Sequence, residues 1–145
     1  MNPIPVKRLR SDAILPTYGS PGAAGADLYA CLEHEVTIQP GQSEFISTGL
    51  SMEIPAGFVG LIYARSGLAC KRDLAPANKV GVIDSDYRGE FIVVLHNHGS
   101  QAQIIRSGER IAQLVIAPVF TPGFVQVDSL SETIRSSGGF GSTGK

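Results

Sequence analysis

Glycine and proline interrupt this sequence so often that no stretch is left for a helix of ordinary length: 17 glycines and 9 prolines are spread over 145 residues. Glycine opens the φ > 0 geometry of turns, and proline ends helices and removes a ladder donor. A chain punctuated in this way is expected to build short strands joined by turns. The segments between the interruptions agree. "LSMEIP" sets Leu50, Met52 and Ile54 on one face and Ser51 and Glu53 on the other, the period of a half-buried strand, and leads into a turn at Pro55 to Gly57. "FVGLIYA", "EFIVVLHNHG" and "RIAQLVIAPVF" are β-branched and aromatic runs bounded by Gly or Pro, as strands covered on both faces or at a subunit contact would be. The last two are expected to pair across "GSQAQIIRSGE". One helix is expected, "SGLACKRDLA" from Ser66 to Ala75, with Leu68 and Leu74 on one side and Pro76 ending it. No internal repeat of roughly 20–50 residues is visible. The expectation is a single all-β sandwich or jelly roll over residues 1–128, followed from about Ser129 by a mobile, glycine-rich arm, 129–145.

Composition narrows the function. A 43% hydrophobic and 17% charged chain of this length is one globular domain. Its net charge is −1 and its Lys and Arg residues are scattered, so no basic stripe for long nucleic acid is present, and a phosphate ligand would be small and held by a few placed groups. Cys31 and Cys70 lie far apart without C-x-x-C spacing, which argues against a zinc knuckle or a disulfide framework. "MNPIPVKRLR" carries no apolar leader and no run approaches the length of a membrane span, so a cytoplasmic protein without membrane attachment is expected.

Three segments carry chemistry. Gly139 to Lys145 reads G-x-x-x-x-G-K, close to a phosphate-gripping P-loop. The residues before it, "VDSLSETIRSS", are polar and small where that motif needs a buried strand, so the P-loop reading is rejected. The glycines still expose N–H groups that can wrap an anion beside Arg135; a disordered Gly/Ser terminus is the other reading. "GVIDSDYRGE", Gly81 to Glu90, reads as a hairpin. In strand geometry Asp84 and Asp86 share a face, and Asp84 next to Val82 and Ile83 is expected to be partly buried, as suits an acid that activates water. The alternative is a turn whose acids bond their own backbone. "ARSGLA" puts Arg65 and Ser66 between a strand and the short helix, where free N–H groups favour an anion; alternatively Ser66 merely caps the helix and Arg65 is solvated. Gln113 in "GERIAQLV" reads as an ordinary pleat residue. His96 and His98 face the same way on a strand, but no third metal ligand is evident, and a solvent face or subunit contact is the expected role. Nothing resembles the G-x-S-x-G turn of a serine hydrolase.

Taken in order, five segments resemble the motifs of the trimeric dUTP diphosphatase (dUTPase) family: "AGADLYA" (24–30), "ARSGLA" (64–69), "NKVGVIDSDYRG" (78–89), "GERIAQLV" (108–115) and "RSSGGFGSTG" (135–144). The resemblance implies a jelly-roll homotrimer with shared active sites. It implies hydrolysis of dUTP to dUMP and pyrophosphate, with Mg2+ carried on the triphosphate, a reaction that limits uracil in DNA and supplies dUMP for dTMP synthesis. Asp84 then matches the acid that deprotonates the attacking water, and Tyr87 the ring that packs on deoxyribose. Asn78, with the backbone around Gly81, Ile83 and Ile92, matches the uracil contacts. Arg65, Ser66, Gly67 and Gln113 match phosphate-binding positions. In the arm, Arg135 matches a γ-phosphate contact, Phe140 a ring stacking over uracil, and Gly141, Ser142 and Thr143 the residues holding the outer phosphates. Asp27 matches an acid near the metal's water shell rather than a direct ligand. One departure is Ala64, where the family commonly has Pro before the Arg. The rivals are a dCTP deaminase, which shares the fold but needs a Glu that the sequence does not place, and a non-catalytic nucleotide-binding trimer.

Overall fold

The computed structural model describes residues 2–139. Among them the chain forms twelve strands and one helix: β1 (Val6–Arg8), β2 (Thr17–Tyr18), β3 (Ala26–Tyr29), β4 (Val36–Ile38), β5 (Ser43–Ser47), β6 (Leu50–Met52), β7 (Phe58–Tyr63), α1 (Ser66–Arg72), β8 (Leu74–Pro76), β9 (Gly81–Ile83), β10 (Ile92–Asn97), β11 (Gln103–Ile105) and β12 (Arg110–Pro118). This is the all-β fold the punctuation predicts. Every strand pair is antiparallel. The largest sheet runs β2-β3-β12-β7-β9; a second runs β5-β10-β8, and β1-β6 and β11-β4 form two-stranded ribbons.

Between these sheets lies one apolar core, with Leu28, Ile38, Ile46, Leu50, Leu74, Phe91, Leu95, Ile105 and Ile111 all fully buried. Each such side chain contributes about 1.5–3 kcal/mol relative to its exposed state. Leu50, Met52 and Ile54 are buried and Glu53 is exposed, as the alternation in "LSMEIP" requires. Ser51 departs from it: the side chain is buried, and its hydroxyl donates to the Arg88 carbonyl at 2.8 Å, tying β6 to the 84–90 loop. The turn after Ile54 is closed by Phe58 N–H donating to the Pro55 carbonyl at 3.1 Å.

Two expectations are corrected. The runs now seen as β10 and β12 do not pair with each other: β10 lies between β5 and β8, and β12 between β3 and β7. The segment joining them is no hairpin loop, because Gln103–Ile105 is itself a strand that pairs with β4 and carries the chain to the other layer. The helix is also shorter than Ser66 to Ala75. Asp73 takes the left-handed conformation at φ 53° and stops it at Arg72, so Leu74–Pro76 is free to become a strand beside β10. The last strand ends at Pro118, and residues 119–139 contain no helix or strand.

Candidate active site

One cavity of about 250 Å3 opens where β3, β7 and β12 meet the start of α1, and Gly25, Asp27, Arg65, Ser66, Gly67, Arg110 and Gln113 are in its wall. Arg65 is the residue before the helix, in extended backbone, and makes no side-chain cap; neither does Ser66 occupy the capping position. Instead the Arg65 Nε donates to Asp27 Oδ1 at 2.7 Å across the sheet. That contact leaves the two terminal nitrogens of the guanidinium as donors. The first amides of α1, those of Ser66 and Gly67, precede the first intrahelical bonds from Leu68 and Ala69 to the Arg65 carbonyl. Gln113 is held from β12 by its Nε2 donating to the Ala64 carbonyl at 2.8 Å, so it braces the turn that presents Arg65. The set is cationic and donor-rich, fitted to an anion.

A second cavity, about 190 Å3, is lined by Val82, Ile83, Asp84, Tyr87, Glu90 and Ile92, and an adjoining one, about 100 Å3, by Asn78, Gly81, Val82, Ile83, Ile92 and Val94 among others. The two share Val82, Ile83 and Ile92. Asn78 lies against Gly81, where a Cβ would stand 3.5 Å from Asn78 Nδ2 and 3.2 Å from Ile62 Cβ. Two features here differ from the sequence reading. Asp84 to Tyr87 is a turn, with Tyr87 N–H donating to the Asp84 carbonyl at 3.2 Å, so Asp84 and Asp86 do not sit on one pleated face. Asp84 is also exposed rather than half-buried, and Val82 is 62% exposed beside it. The reason is that β9 is the edge strand of its sheet and its hairpin stands outside the chain's own core. Tyr87 is fixed by its hydroxyl donating to the Glu90 carbonyl at 3.0 Å and by Phe91, ring centroids 6.2 Å apart.

The strand register keeps these two regions apart. β7 and β9 pair with Ile62 opposite Gly81 and Gly60 opposite Ile83, so Asp84 leaves the pair at the Gly60 end while Arg65 leaves it beyond Tyr63. At about 3.3 Å per residue the two side chains' origins are roughly 15–20 Å apart. Within one chain the anion pocket and the acid do not meet.

Arg135 is exposed, its Nε donating to the Gly138 carbonyl at 2.9 Å. Phe140, Gly141, Ser142 and Thr143 lie outside the described residues. His96 and His98 do come together, ring centroids 4.4 Å apart, with His96 Nδ1 2.9 Å from Ser43 Oγ. Among the described residues no group of three His, Cys, Asp or Glu side chains gathers to hold a metal, and both cysteines are free.

A dUTPase family model matches residues 11–144. The chain belongs to the dUTPase family. It is 54% identical over 149 aligned positions to the deoxyuridine 5'-triphosphate nucleotidohydrolase of Desulfitobacterium hafniense, covering 99% of both chains. It is 49% identical over 141 positions to that of Syntrophotalea carbinolica, covering 97% of this chain and 96% of the relative. Among solved structures it resembles the Staphylococcus bacteriophage 80alpha dUTPase with dUPNHPP at a TM-score of 0.91 and 30% identity, over 100% of both chains. It also resembles a mutant dUTPase from phage phi11 of S. aureus, described for the coordination of a structural Mg(II) ion, at a TM-score of 0.79 and 27% identity, over 88% of this chain and 98% of that one.

For a member of this family, three residues of the site were not singled out from the sequence. Gly25 allows Gln113 to lie on the backbone, Arg110 lines the anion cavity, and Glu90 accepts hydrogen bonds from Ser47 Oγ and from Gly49 N–H, the latter at 2.7 Å. Gly49 has φ 65°, and a Cβ there would stand 2.9 Å from both Ala13 Cβ and Cys31 Sγ, so the turn that Glu90 clasps admits only glycine. "AGADLYA", "GERIAQLV" and the Glu closing "GVIDSDYRGE" carried these residues, but nothing in a linear pattern tells a wall residue from a pleat residue.

Proposed function

We propose that this chain hydrolyses dUTP to dUMP and pyrophosphate as a homotrimer. The observation that carries the reading is the division of labour along the β7–β9 pair, with a cationic anion pocket at one end and an exposed acid beside a small hairpin groove at the other. A nucleoside triphosphate needs both, and a second copy supplies what one chain holds too far away. Apolar surface supports the assembly. Phe45, Ile92 and Val94 lie on one outward face of β5 and β10, Phe45 72% and Ile92 42% exposed, and Phe120, Phe124, Val125, Leu130 and Ile134 are exposed beyond β12. Such surface marks an interface.

In this reading the base enters the hairpin groove, where Asn78 and the backbone of Gly81, Ile83 and Ile92 hydrogen-bond uracil. The narrow walls refuse the thymine methyl, and the same donors and acceptors leave cytosine mispaired. Tyr87 packs on the sugar and leaves no room for a 2′-hydroxyl. Asp84 orients a water and takes its proton as the oxygen attacks the α-phosphorus. Arg65, Ser66, Gly67 and Gln113 bind the phosphates, and Arg135, Phe140, Gly141, Ser142 and Thr143 close over them from the arm, residues 129–145. The side chains fit Mg2+ arriving on the triphosphate rather than in a protein cage, since the Asp27 carboxylate is already bonded to Arg65 and Arg110. Bound there, Mg2+ supplies charge neutralisation to the phosphate oxygens. No helix among the described residues is long and apolar enough to cross a membrane.

The test is product analysis by phosphorus NMR with Mg2+ and, in parallel, dUTP, dCTP, UTP and dTTP. Pyrophosphate from dUTP alone is the expected result. A uracil product from dCTP would move the assignment to a deaminase, and binding without turnover would leave a regulatory trimer.

A further inference from the structure

Tyr87 is held by its tip rather than by burial. The residue is 42% exposed, with Phe91 beside it at 6.2 Å between ring centroids. The ring folds back over Gly89, where a Cβ would stand 2.5 Å from Cζ and 2.8 Å from Cε2, and its hydroxyl donates to the Glu90 carbonyl at 3.0 Å. A half-exposed ring is free to leave for other rotamers unless the group at its tip is fixed.

Glu90 supplies that fixed group. The peptide bearing its carbonyl is pinned on one side by the Phe91 N–H, which donates to the Leu50 carbonyl at 2.8 Å. One such bond leaves the peptide plane free to swing, and the Glu90 side chain makes the second anchor. Its Oε1 accepts from the Gly49 amide at 2.7 Å and from Ser47 Oγ, fastening the residue to the turn between β5 and β6. That turn cannot yield, because Gly49 is buried at φ 65° with Ala13 and Cys31 closed around it. Tyr87, the Glu90 carbonyl, the Glu90 carboxylate and the Gly49 turn thus form one continuous tether from an exposed ring to the core. Among the described residues both of the carboxylate's bonds go to Oε1, so what the tether requires of Glu90 is an acceptor there, not a charge.

We infer that Glu90 is a positioning residue for the choice of sugar: clasped by the Gly49 turn, it holds the Tyr87 ring in the one orientation that excludes a 2′-hydroxyl. The inference deepens the proposed function and rests on its placing of Tyr87 against the deoxyribose. Exclusion by a ring is only as strong as the ring's resistance to displacement, since a side chain that swings aside at little cost admits the larger sugar.

The experiment measures, by calorimetry on the full-length protein, affinities for the α,β-imido analogues of dUTP and UTP, whose bridging nitrogen resists hydrolysis. E90Q keeps an oxygen acceptor of the same reach and should keep the wild-type ratio of the two affinities. E90A should weaken the deoxynucleotide and spare the ribonucleotide, lowering the ratio about tenfold. Y87F keeps the ring but not its tether and should match that loss, and the double variant should lose no more than either alone. Thr48→Val is the control for a weakened corner: it removes the 2.5 Å bond from Thr48 Oγ1 to the Phe91 carbonyl, and both affinities should change together. An E90A ratio within twofold of wild type, losses in E90A and Y87F that add, or a lowered ratio in Thr48→Val would overturn the assignment. If E90A does not fold, a wild-type ratio in Y87F or a lowered one in E90Q does the same. Y87A separates the two readings. A wild-type ratio there removes Tyr87 from the sugar and defeats the reading beneath, whereas a ratio lost in Y87A and kept in E90A defeats the role of Glu90 alone.

Discussion

Gln113 lies so close over Gly25 that a Cβ on that glycine would stand 2.6 Å from Gln113 Oε1 and 3.1 Å from its Cβ. Gly25→Ala must therefore push Gln113 off the Ala64 carbonyl and loosen the turn that presents Arg65. The expected outcome is a dUTP KM raised about tenfold, a loss comparable to one or two hydrogen bonds to a charged group, with stability lowered by about 1 kcal/mol. Steady-state kinetics and urea unfolding of the same variant check it; an unchanged KM would show that Gln113 is free to move.

Asp84 stands at the mouth of the hairpin cavity with Tyr87 beside it. Asp84→Asn keeps the shape and the hydrogen-bonding reach but removes the proposed base. The variant should bind a non-hydrolysable dUTP analogue as wild type does, while kcat falls about 10²–10⁴-fold. Near wild-type turnover would remove Asp84 from the proposed role.

Among the described residues the side chain of Arg135 hydrogen-bonds within its own arm, to the Gly138 carbonyl. Truncation after Ile134 should accordingly leave the core and the oligomer intact by sedimentation and thermal melting, with hydrolysis of dUTP greatly reduced. Full activity in the truncated protein would refute closure by the arm.

His98 titrates below its ordinary value, first because of desolvation and then because His96 and Lys79 oppose its charge. The folded protein thus takes up the His98 proton less readily than the unfolded chain. Stability associated with the neutral ring is present above about pH 6.5 and is lost as pH falls through the lowered value. His98→Gln should flatten the decline in melting temperature between about pH 6.5 and pH 5, and an unaltered slope would assign that decline to other groups.

The all-β class and a short helix opening within "YARSG" were legible in the sequence because each depends on local chemistry, and the same local reading singled out Arg65, Ser66 and Asp84 as candidates, whereas Asn78, Tyr87 and Gln113 entered only through the family resemblance. Turn residues, alternation and motif spacing act over a few positions, and "GVIDSDYRGE" announces an acid beside apolar neighbours whatever lies across from it. The partners of β10 and β12 were not legible, since which strands pair depends on where Gln103–Ile105 carries the chain. Asp84's exposure likewise follows from β9 being an edge strand, a property of the whole sheet.

What the sequence determined by itself was the inventory: short strands, one helix of two turns, an acid on a hairpin, donors at a strand end, and a glycine-rich arm. Tertiary structure alone decided the arrangement. The β7–β9 register sets the acid and the anion pocket at opposite ends of one chain, and a bulge in β12, between Arg110 and Ala112, turns Arg110 to the same side as Gln113. Both follow from ladder hydrogen bonds between segments distant in sequence, whose alignment no local pattern encodes.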